Sequence, residues 1–144
     1  MSRGTVCQLR RYGWLVVPVC ALIVAGSTLL PAQAKSPVAG IWAGTLSSRS
    51  FASFPVSIRV VQDAHGNLSA HATMTHQCVQ ESKLMVTVAG SNVVMSGSDA
   101  DGNTVTFRGS LDDTGKLLDV SFVMNGSATG RCETDSGKGS LNKQ

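Results

Sequence analysis

Apolar and polar residues alternate along this chain from Val38 onward, and that alternation constrains its fold more than any other feature. Between residues 56 and 60, Val, Ile and Val occupy one face of an extended chain, while Ser57 and Arg59 occupy the other. The same period of two recurs in the stretches 68–75, 84–88, 93–95, 105–107 and 118–124. Successive side chains of a strand point to opposite faces, so this repeat predicts half-buried antiparallel strands.

Short segments rich in Asp, Gly and Asn separate these stretches. They cover residues 63–67, 90–92, 99–103 and 112–116, and each supplies the Gly or Asn that a tight hairpin needs at positive φ. Seven or eight strands joined in this way predict an all-β fold, an antiparallel up-and-down β-barrel of about eight strands, because closure removes exposed strand edges. A two-sheet β-sandwich is the alternative. Its long crossing connections would have to come from residues 47–53 and 79–83.

The first 34 residues have the organisation of a secretory signal peptide. Three arginines precede an apolar run over residues 14–30, and Ala32-Gln33-Ala34 supplies the small residues that a signal peptidase recognises. We therefore expect residues 1–34 to be a signal peptide that is cleaved before Lys35. Cleavage leaves 35–144 as a single β-barrel domain, which is expected to be periplasmic or secreted.

Two other interpretations of this leader predict a membrane-bound protein. An uncleaved anchor would need the apolar run to span a bilayer, but the run is short for that purpose and contains Pro18. Attachment of lipid to Cys20 would need a small residue before the cysteine, where the chain has Val19. We therefore expect no membrane span after signal cleavage.

Cleavage also changes the charge of the chain. Three of the 12 Lys and Arg residues belong to the leader, so the mature part carries nine of them against nine Asp and Glu residues. No basic stripe remains to attract phosphate backbones or anionic lipid. This balance argues against nucleic-acid binding.

Two of the four cysteines, Cys7 and Cys20, leave with the signal peptide, and Cys78 and Cys132 remain. Two cysteines in an oxidising compartment are expected to form a disulfide, here tying the end of an early strand to the last strand. Two free thiols, or a metal site with too few ligands, are the alternatives. For a loop of roughly 55 residues, chain entropy gives a stabilisation of about 4 kcal/mol.

The pentapeptide Gly40-Ile41-Trp42-Ala43-Gly44 opens the first predicted strand. It resembles the G-x-W opening of lipocalins, avidins and related calycin barrels, and it is similar to the G-x-W-x-G opening of many small exported bacterial proteins of unassigned function. The resemblance implies an antiparallel barrel in which Trp42 packs over the closed end, with a basic residue, Arg131 or Lys143, covering the indole. Gly40 and Gly44 suit the close backbone approach that a bulky indole needs beside it.

No arrangement of residues in the sequence points to a metal site or a catalytic serine. His71 and His76 are five residues apart, so on a regular strand they face opposite sides, and we interpret both of them and His65 as solvent-exposed. The segment Asp99–Asn103 lacks the spacing of a calcium-binding loop and is interpreted as a turn. No nucleophile elbow is present. We therefore expect no metal ion and no cofactor.

The only two glutamates, Glu81 and Glu133, lie close in sequence to Cys78 and Cys132, so a disulfide could bring them together. Two close carboxylates can divide the roles of acid and base. Carboxylates beside a disulfide are usually surface residues, however, and we predict that the protein is not an enzyme.

These observations predict an exported, non-enzymatic β-barrel that binds a small apolar ligand or a protein partner in the cell envelope. Barrels of this girth are commonly filled by their own side chains. The alternative function is a periplasmic inhibitor of a protease or lysozyme, which would act through a protruding arm or loop. Residues 35–38 and 47–54 are the candidates, although Phe51 and Phe54 are interpreted as folding back to plug the barrel mouth.

Overall fold

A computed structural model describes residues 34–128 and 132–144, and within them the fold is built from eight β-strands. The strands are β1 (Gly40–Ser48), β2 (Phe54–Gln62), β3 (Leu68–Met74), β4 (Glu81–Ala89), β5 (Asn92–Ser98), β6 (Thr104–Leu111), β7 (Leu117–Asn125) and β8 (Asp135–Lys143). Each strand pairs antiparallel with the next along the chain, and β8 pairs with β1 to close the barrel. The predicted up-and-down barrel is confirmed, and the sandwich alternative is wrong.

The predicted signal peptide lies outside the described residues, except for its last residue, Ala34. The cysteines that it contains lie outside them as well. In the part of the chain that the structure describes, no helix is long and apolar enough to cross a membrane.

The alternation in the sequence decides which side chains fill the barrel. On β2, Val56, Ile58 and Val60 are buried, whereas Arg59 between them is exposed. All eight strands contribute to one core cluster. Its largest fully buried side chains are Trp42, Phe107, Phe122, Leu46, Ile58, Met95, Leu118, Met124 and Leu141. The barrel interior is therefore occupied by the protein's own apolar side chains.

Three aromatic rings contact one another within this core. The Phe122 ring lies edge-on to Phe54, with 5.6 Å between ring centroids, and tilted against Phe107, with 6.3 Å between centroids. Edge-to-face pairs at such distances stabilise a core beyond their buried area.

Three of the hairpin turns are each held by the carboxylate of a leading aspartate. Asp63, Asp99 and Asp112 each begin a D-x-x-G turn, and one oxygen of each carboxylate accepts backbone N–H bonds from later residues of the turn. Hydrogen bonds from the Thr114 hydroxyl and the Leu117 N–H lower the pKa of Asp112 to about 2. The interpretation of residues 99–103 as a turn is confirmed.

Candidate functional site

The segment before β1 closes one end of the barrel, which we call the tryptophan end. Val38 is fully buried, and its carbonyl accepts a 2.7 Å hydrogen bond from the indole N–H of Trp42. Trp42 is fully buried too. The Lys143 ammonium lies 5.4 Å from the indole centroid and donates a hydrogen bond to the Pro37 carbonyl. An apolar plug, a buried indole and one cation together seal this end.

The two glycines of the opening motif sit where a side chain would collide with the last strand. A Cβ at Gly40, whose φ is 142°, would lie 2.9 Å from Cε of Lys143. A Cβ at Gly44 would lie 2.2 Å from the carbonyl oxygen of Ser140. The close neighbour of Gly44 is therefore the β8 backbone rather than the indole. Arg131, the other basic residue that the resemblance implied over the indole, lies outside the described residues.

A buried histidine marks the opposite end, which we call the histidine end. His76, in the loop after β3, is only 2% exposed, and its Nε2 lies 3.1 Å from Oδ2 of Asp135. The Cys78 N–H donates to Nδ1 at 3.2 Å. Because Nδ1 accepts this hydrogen bond, the neutral ring carries its proton on Nε2. The Nε2–H group then donates a hydrogen bond to the Asp135 carboxylate. The expectation that His76 is exposed is wrong, because the loop folds it inward onto an interior carboxylate.

Asp135, the first residue of β8, is buried with its partner. Burial on its own raises the pKa of this carboxyl. Hydrogen bonds from the Ser48 side chain, from His76 and from the Ser136 N–H outweigh that effect and hold the pKa of Asp135 below its ordinary value of 3.8. Asp135 is therefore a buried carboxylate stabilised by three donors from separate parts of the chain.

Phe51 and Phe54 hold the imidazole of His76 between them. Their rings lie edge-on to it, with 4.8 Å and 5.1 Å between centroids. Phe54 is buried and Phe51 packs against the core, so both fold inward, as we interpret them from the sequence. The other candidate arm, residues 35–38, ends in the buried Val38. Each segment therefore anchors at least one apolar side chain in the barrel core.

The Cys78–Cys132 disulfide is present, with 5.4 Å between the Cα atoms, and that prediction is confirmed. Both cysteines lie in loops rather than at strand ends: the bond joins the β3–β4 loop to the β7–β8 loop. Asn103 connects the β5–β6 loop to both of these loops. Its side-chain amide donates a hydrogen bond to the Cys78 carbonyl at 3.1 Å and accepts one from the Ser127 N–H at 2.9 Å. A covalent bond and a polar network thus seal the histidine end.

The remaining candidate residues are exposed. Glu81 is exposed on the outer side of β4, with its carboxylate 3.9 Å from Nε2 of His71, and Glu133 is exposed in the β7–β8 loop. His65 is exposed in the β2–β3 turn. Among residues 34–128 and 132–144, no group of three or more His, Cys, Asp and Glu residues is placed to hold a metal ion.

The outer surface of β1 to β4 carries a feature that was not predicted from the sequence. Of the four exposed large hydrophobic residues in the described part of the chain, three lie there: Ile41 is 38% exposed, Val61 50% and Met85 79%. The fourth, Val123, lies on β7. The signal was available, since each of the three occupies a position where the alternation calls for a polar residue.

Strand pairing places these residues beside a row of basic side chains. Arg59 pairs with Ile41 on one side and with His71 on the other, and His71 pairs with Lys83. In the next row along the strands, Ser69 separates Val61 from Met85. We call the surface formed by Ile41, Arg59, Val61, His71, Lys83 and Met85 the apolar–basic face. A groove of about 630 Å³ continues it toward Lys35.

The other side of the barrel has a different surface. Arg108 and Lys138 flank Ser121 in one row, beside a groove of about 700 Å³ lined largely by small polar residues and glycines. Both grooves lie on the outside of the barrel, since the outward residues of the strands line them. Cations are present on both sides, but exposed apolar side chains are concentrated on the apolar–basic face.

No family model matches this chain, and no curated protein is similar to it at a significant level. Among solved structures, the chain is similar to one described as "Structure of EF1p2_mFAP2b bound to DFHBI", with a TM-score of 0.51 and 11% sequence identity. The alignment covers 75% of this chain and 94% of the other. At that identity the similarity shows the fold alone. It fits the calycin-like barrel that the G-x-W opening resembles.

Proposed function

We propose that this protein is an exported, non-enzymatic β-barrel that acts by binding a protein partner in the cell envelope. The observation that carries the proposal is the contrast between a filled interior and an unusual exterior. Core side chains occupy the barrel and both ends are covered, while one outer face carries three of the four exposed large hydrophobic residues found within 34–128 and 132–144. Exposed apolar residues concentrated in this way mark interaction sites.

Two further observations support parts of this proposal. The disulfide is typical of proteins that fold in an oxidising compartment, which favours export. The imidazole of His76 has a hydrogen-bond partner at each ring nitrogen, so the histidine holds the loop instead of serving as a base for a substrate. An inhibitor of a protease or lysozyme would be one form of such a protein partnership.

A small apolar ligand inside the barrel is the second candidate. The similar barrel EF1p2_mFAP2b is described as bound to DFHBI, so the architecture is compatible with small-ligand binding. To bind inside this barrel, a ligand would have to displace fully buried side chains such as Phe107 and Met95. The packed interior therefore favours the protein partner.

Uptake of an environment-sensitive apolar dye distinguishes the two candidates. We expect wild-type protein to show no saturable fluorescence increase at micromolar dye concentrations. The matched control is Met95→Ala probed with xenon, because truncation of a buried side chain leaves an apolar cavity that accepts a guest of that size. Saturable binding by wild type would overturn the protein-partner proposal in favour of an interior ligand.

A further inference from the structure

We infer that the apolar–basic face binds an acidic segment of a protein, whose carboxylates pair with Arg59 and Lys83 while an apolar side chain covers Met85. This inference rests on the proposed function, since it assumes a protein partner. It adds the location of the contact and the chemistry of the partner.

The closed topology restricts how a partner can bind. Each of the eight strands is paired on both sides. A partner cannot extend the sheet with a strand of its own, because that mode of recognition needs a free edge. Binding must therefore use side chains of the outer surface, and its specificity depends on which side chains point outward.

The charge of the face favours an acidic partner. Arg59 and Lys83 are exposed, and within the described residues neither side chain forms an ion pair. They belong to one cross-strand row with His71 between them, so their strands are separated by about 10 Å. Two carboxylates on one segment can reach both cations.

The apolar part of the face requires that the acidic segment of the partner also carry an apolar side chain. Met85 stands between Ser69 on β3 and Ser96 on β5, so small neighbours leave its side chain uncovered. An unbranched thioether adapts to differently shaped partners, and methionine is common at such binding surfaces. An apolar side chain of the partner would remove the Met85 side chain from water.

A protein fits this surface better than a membrane or a nucleic acid. Binding to anionic lipid or to a phosphate backbone depends on many cations acting together. Here the two unpaired cations, Arg59 and Lys83, lie among acidic residues. Glu81 lies beside His71, which separates the two cations, and Asp63 lines the same groove as Arg59. Such a mixed pattern selects a partner with a matching distribution of charge.

Site-specific photo-crosslinking in cells that produce the full chain tests the location. A photo-crosslinking residue replaces Ser69, which lies between Val61 and Met85, and in a matched control it replaces Ser121, which lies between Arg108 and Lys138. We expect a protein adduct from position 69 and none from position 121. An adduct from position 121 alone would overturn the assignment to this face but keep the proposed function. No protein adduct from either position would overturn both.

Charge reversal tests the chemistry. We expect Arg59→Glu combined with Lys83→Glu to lower the adduct yield from position 69 roughly tenfold, because two attractive contacts become repulsive. Arg108→Glu combined with Lys138→Glu should leave the yield unchanged, and the conservative pair Arg59→Lys and Lys83→Arg should retain most of it. Equal yields in the two charge-reversed proteins, or adducts to lipid in place of protein, would overturn the inference.

A defined peptide measures the same preference with purified protein. A short synthetic peptide that alternates Asp and Leu should shift the NMR signals of Lys83 and Met85, whereas a peptide that alternates Lys and Leu should not. Met85→Ser should weaken binding of the acidic peptide roughly tenfold, since an apolar contact is lost. Binding of both peptides with equal affinity would contradict an acidic partner.

Discussion

The two ends of the barrel are closed by different chemistry. At the tryptophan end, Val38 and Trp42 are fully buried and one ammonium group lies over the indole. At the histidine end, the buried pair His76 and Asp135 lies beside a disulfide. Both arrangements cover the same kind of apolar interior, yet only the second contains groups that acid or a reductant can change.

Because of this difference, we expect pH and redox conditions to affect stability mainly through the histidine end. Apolar burial and a lysine–indole contact respond little to mild acid or to thiols. A carboxylate whose pKa is shifted by its neighbours makes stability depend on pH, and a disulfide makes it depend on redox conditions. We therefore expect the loops of the histidine end to loosen first when conditions change, while the tryptophan end remains intact.

Truncation of the indole should have the largest effect on stability at either end. Trp42→Ala removes a fully buried aromatic side chain and the partner of the Lys143 ammonium. Core aromatic truncations cost about 3–5 kcal/mol in the free energy of unfolding. Urea unfolding at neutral pH measures the loss, and we expect the same loss in oxidised and in reduced protein. A variant as stable as wild type would show that the indole does not hold the tryptophan end together.

Removal of the disulfide should have the next largest effect. Replacing Cys78 and Cys132 by serine opens a loop with a sequence separation of 54 residues, and the loss of such a link typically costs about 2–4 kcal/mol. Urea unfolding of the double variant measures the cost, with reduced wild type as the control. Hydrogen exchange should increase in the three loops that the disulfide and Asn103 connect. Increased exchange at Trp42 instead would contradict the independence of the two ends.

The sequence predicts the barrel well because its information is periodic and local. Every second residue is apolar and buried from Phe54 to Val60 on β2 and from Leu118 to Met124 on β7, and each D-x-x-G segment supplies its own turn hydrogen bonds. These signals need no knowledge of distant residues. The Cys78–Cys132 pairing is likewise predictable, because only two cysteines lie outside the predicted signal peptide.

The histidine end is harder to predict, because its contacts join residues that are far apart in sequence. His76 and Asp135 are 59 positions apart, and the residues adjacent to each in sequence give no sign that the two side chains will meet. A histidine in a polar loop is expected to be exposed, and only the folded barrel shows that the loop buries it. The apolar–basic face was missed for another reason: Met85 and Val61 are single departures from an alternation that otherwise describes their strands.

Asparagine at position 135 tests the polar seal with a smaller expected effect. Asp135→Asn keeps the shape of the side chain but removes the charge that accepts hydrogen bonds from Ser48, His76 and Ser136. A buried group left with a poorer partner costs about 1–3 kcal/mol in the free energy of unfolding at neutral pH. The control is Asp119→Asn, an exposed carboxylate on β7, which should change stability far less. Equal losses in the two variants would argue against a special role for the buried pair.

The pH dependence of that loss follows from the direction of the pKa shift. Because the folded state holds the pKa of Asp135 below 3.8, the stabilisation is complete above pH 3.8 and is lost as the pH falls through the folded-state pKa. The difference in unfolding free energy between wild type and Asp135→Asn should therefore shrink in acid. The difference between wild type and Trp42→Ala should stay nearly constant over the same range. A gap at Asp135 that widens in acid would contradict the lowered pKa.

The smallest expected effect belongs to the cation at the tryptophan end. Lys143→Met retains most of the aliphatic stem and removes the ammonium that lies 5.4 Å from the Trp42 centroid. A cation–π contact at a partly exposed site contributes about 0.5–1 kcal/mol, and the exposed hydrogen bond to the Pro37 carbonyl is lost with it, so the free energy of unfolding should fall by about 1 kcal/mol. Lys138→Met is the matched control, because this lysine lies on the same strand and points outward.

Fluorescence makes that small effect visible at the site itself. Trp42 is one of two tryptophans in the chain, and the other lies in the predicted signal peptide. Emission from residues 35–144, the expected mature protein, therefore reports on the tryptophan end alone. We expect Lys143→Met to change the emission intensity, because it removes a charge from the face of the ring, and Lys138→Met to leave it unchanged. Equal stability losses in the two variants, with unchanged emission in both, would mean that the lysine acts through the general charge of β8. The tryptophan end would then be sealed by apolar packing and by the indole hydrogen bond to the Val38 carbonyl, with no contribution from a charge, which would sharpen its contrast with the histidine end.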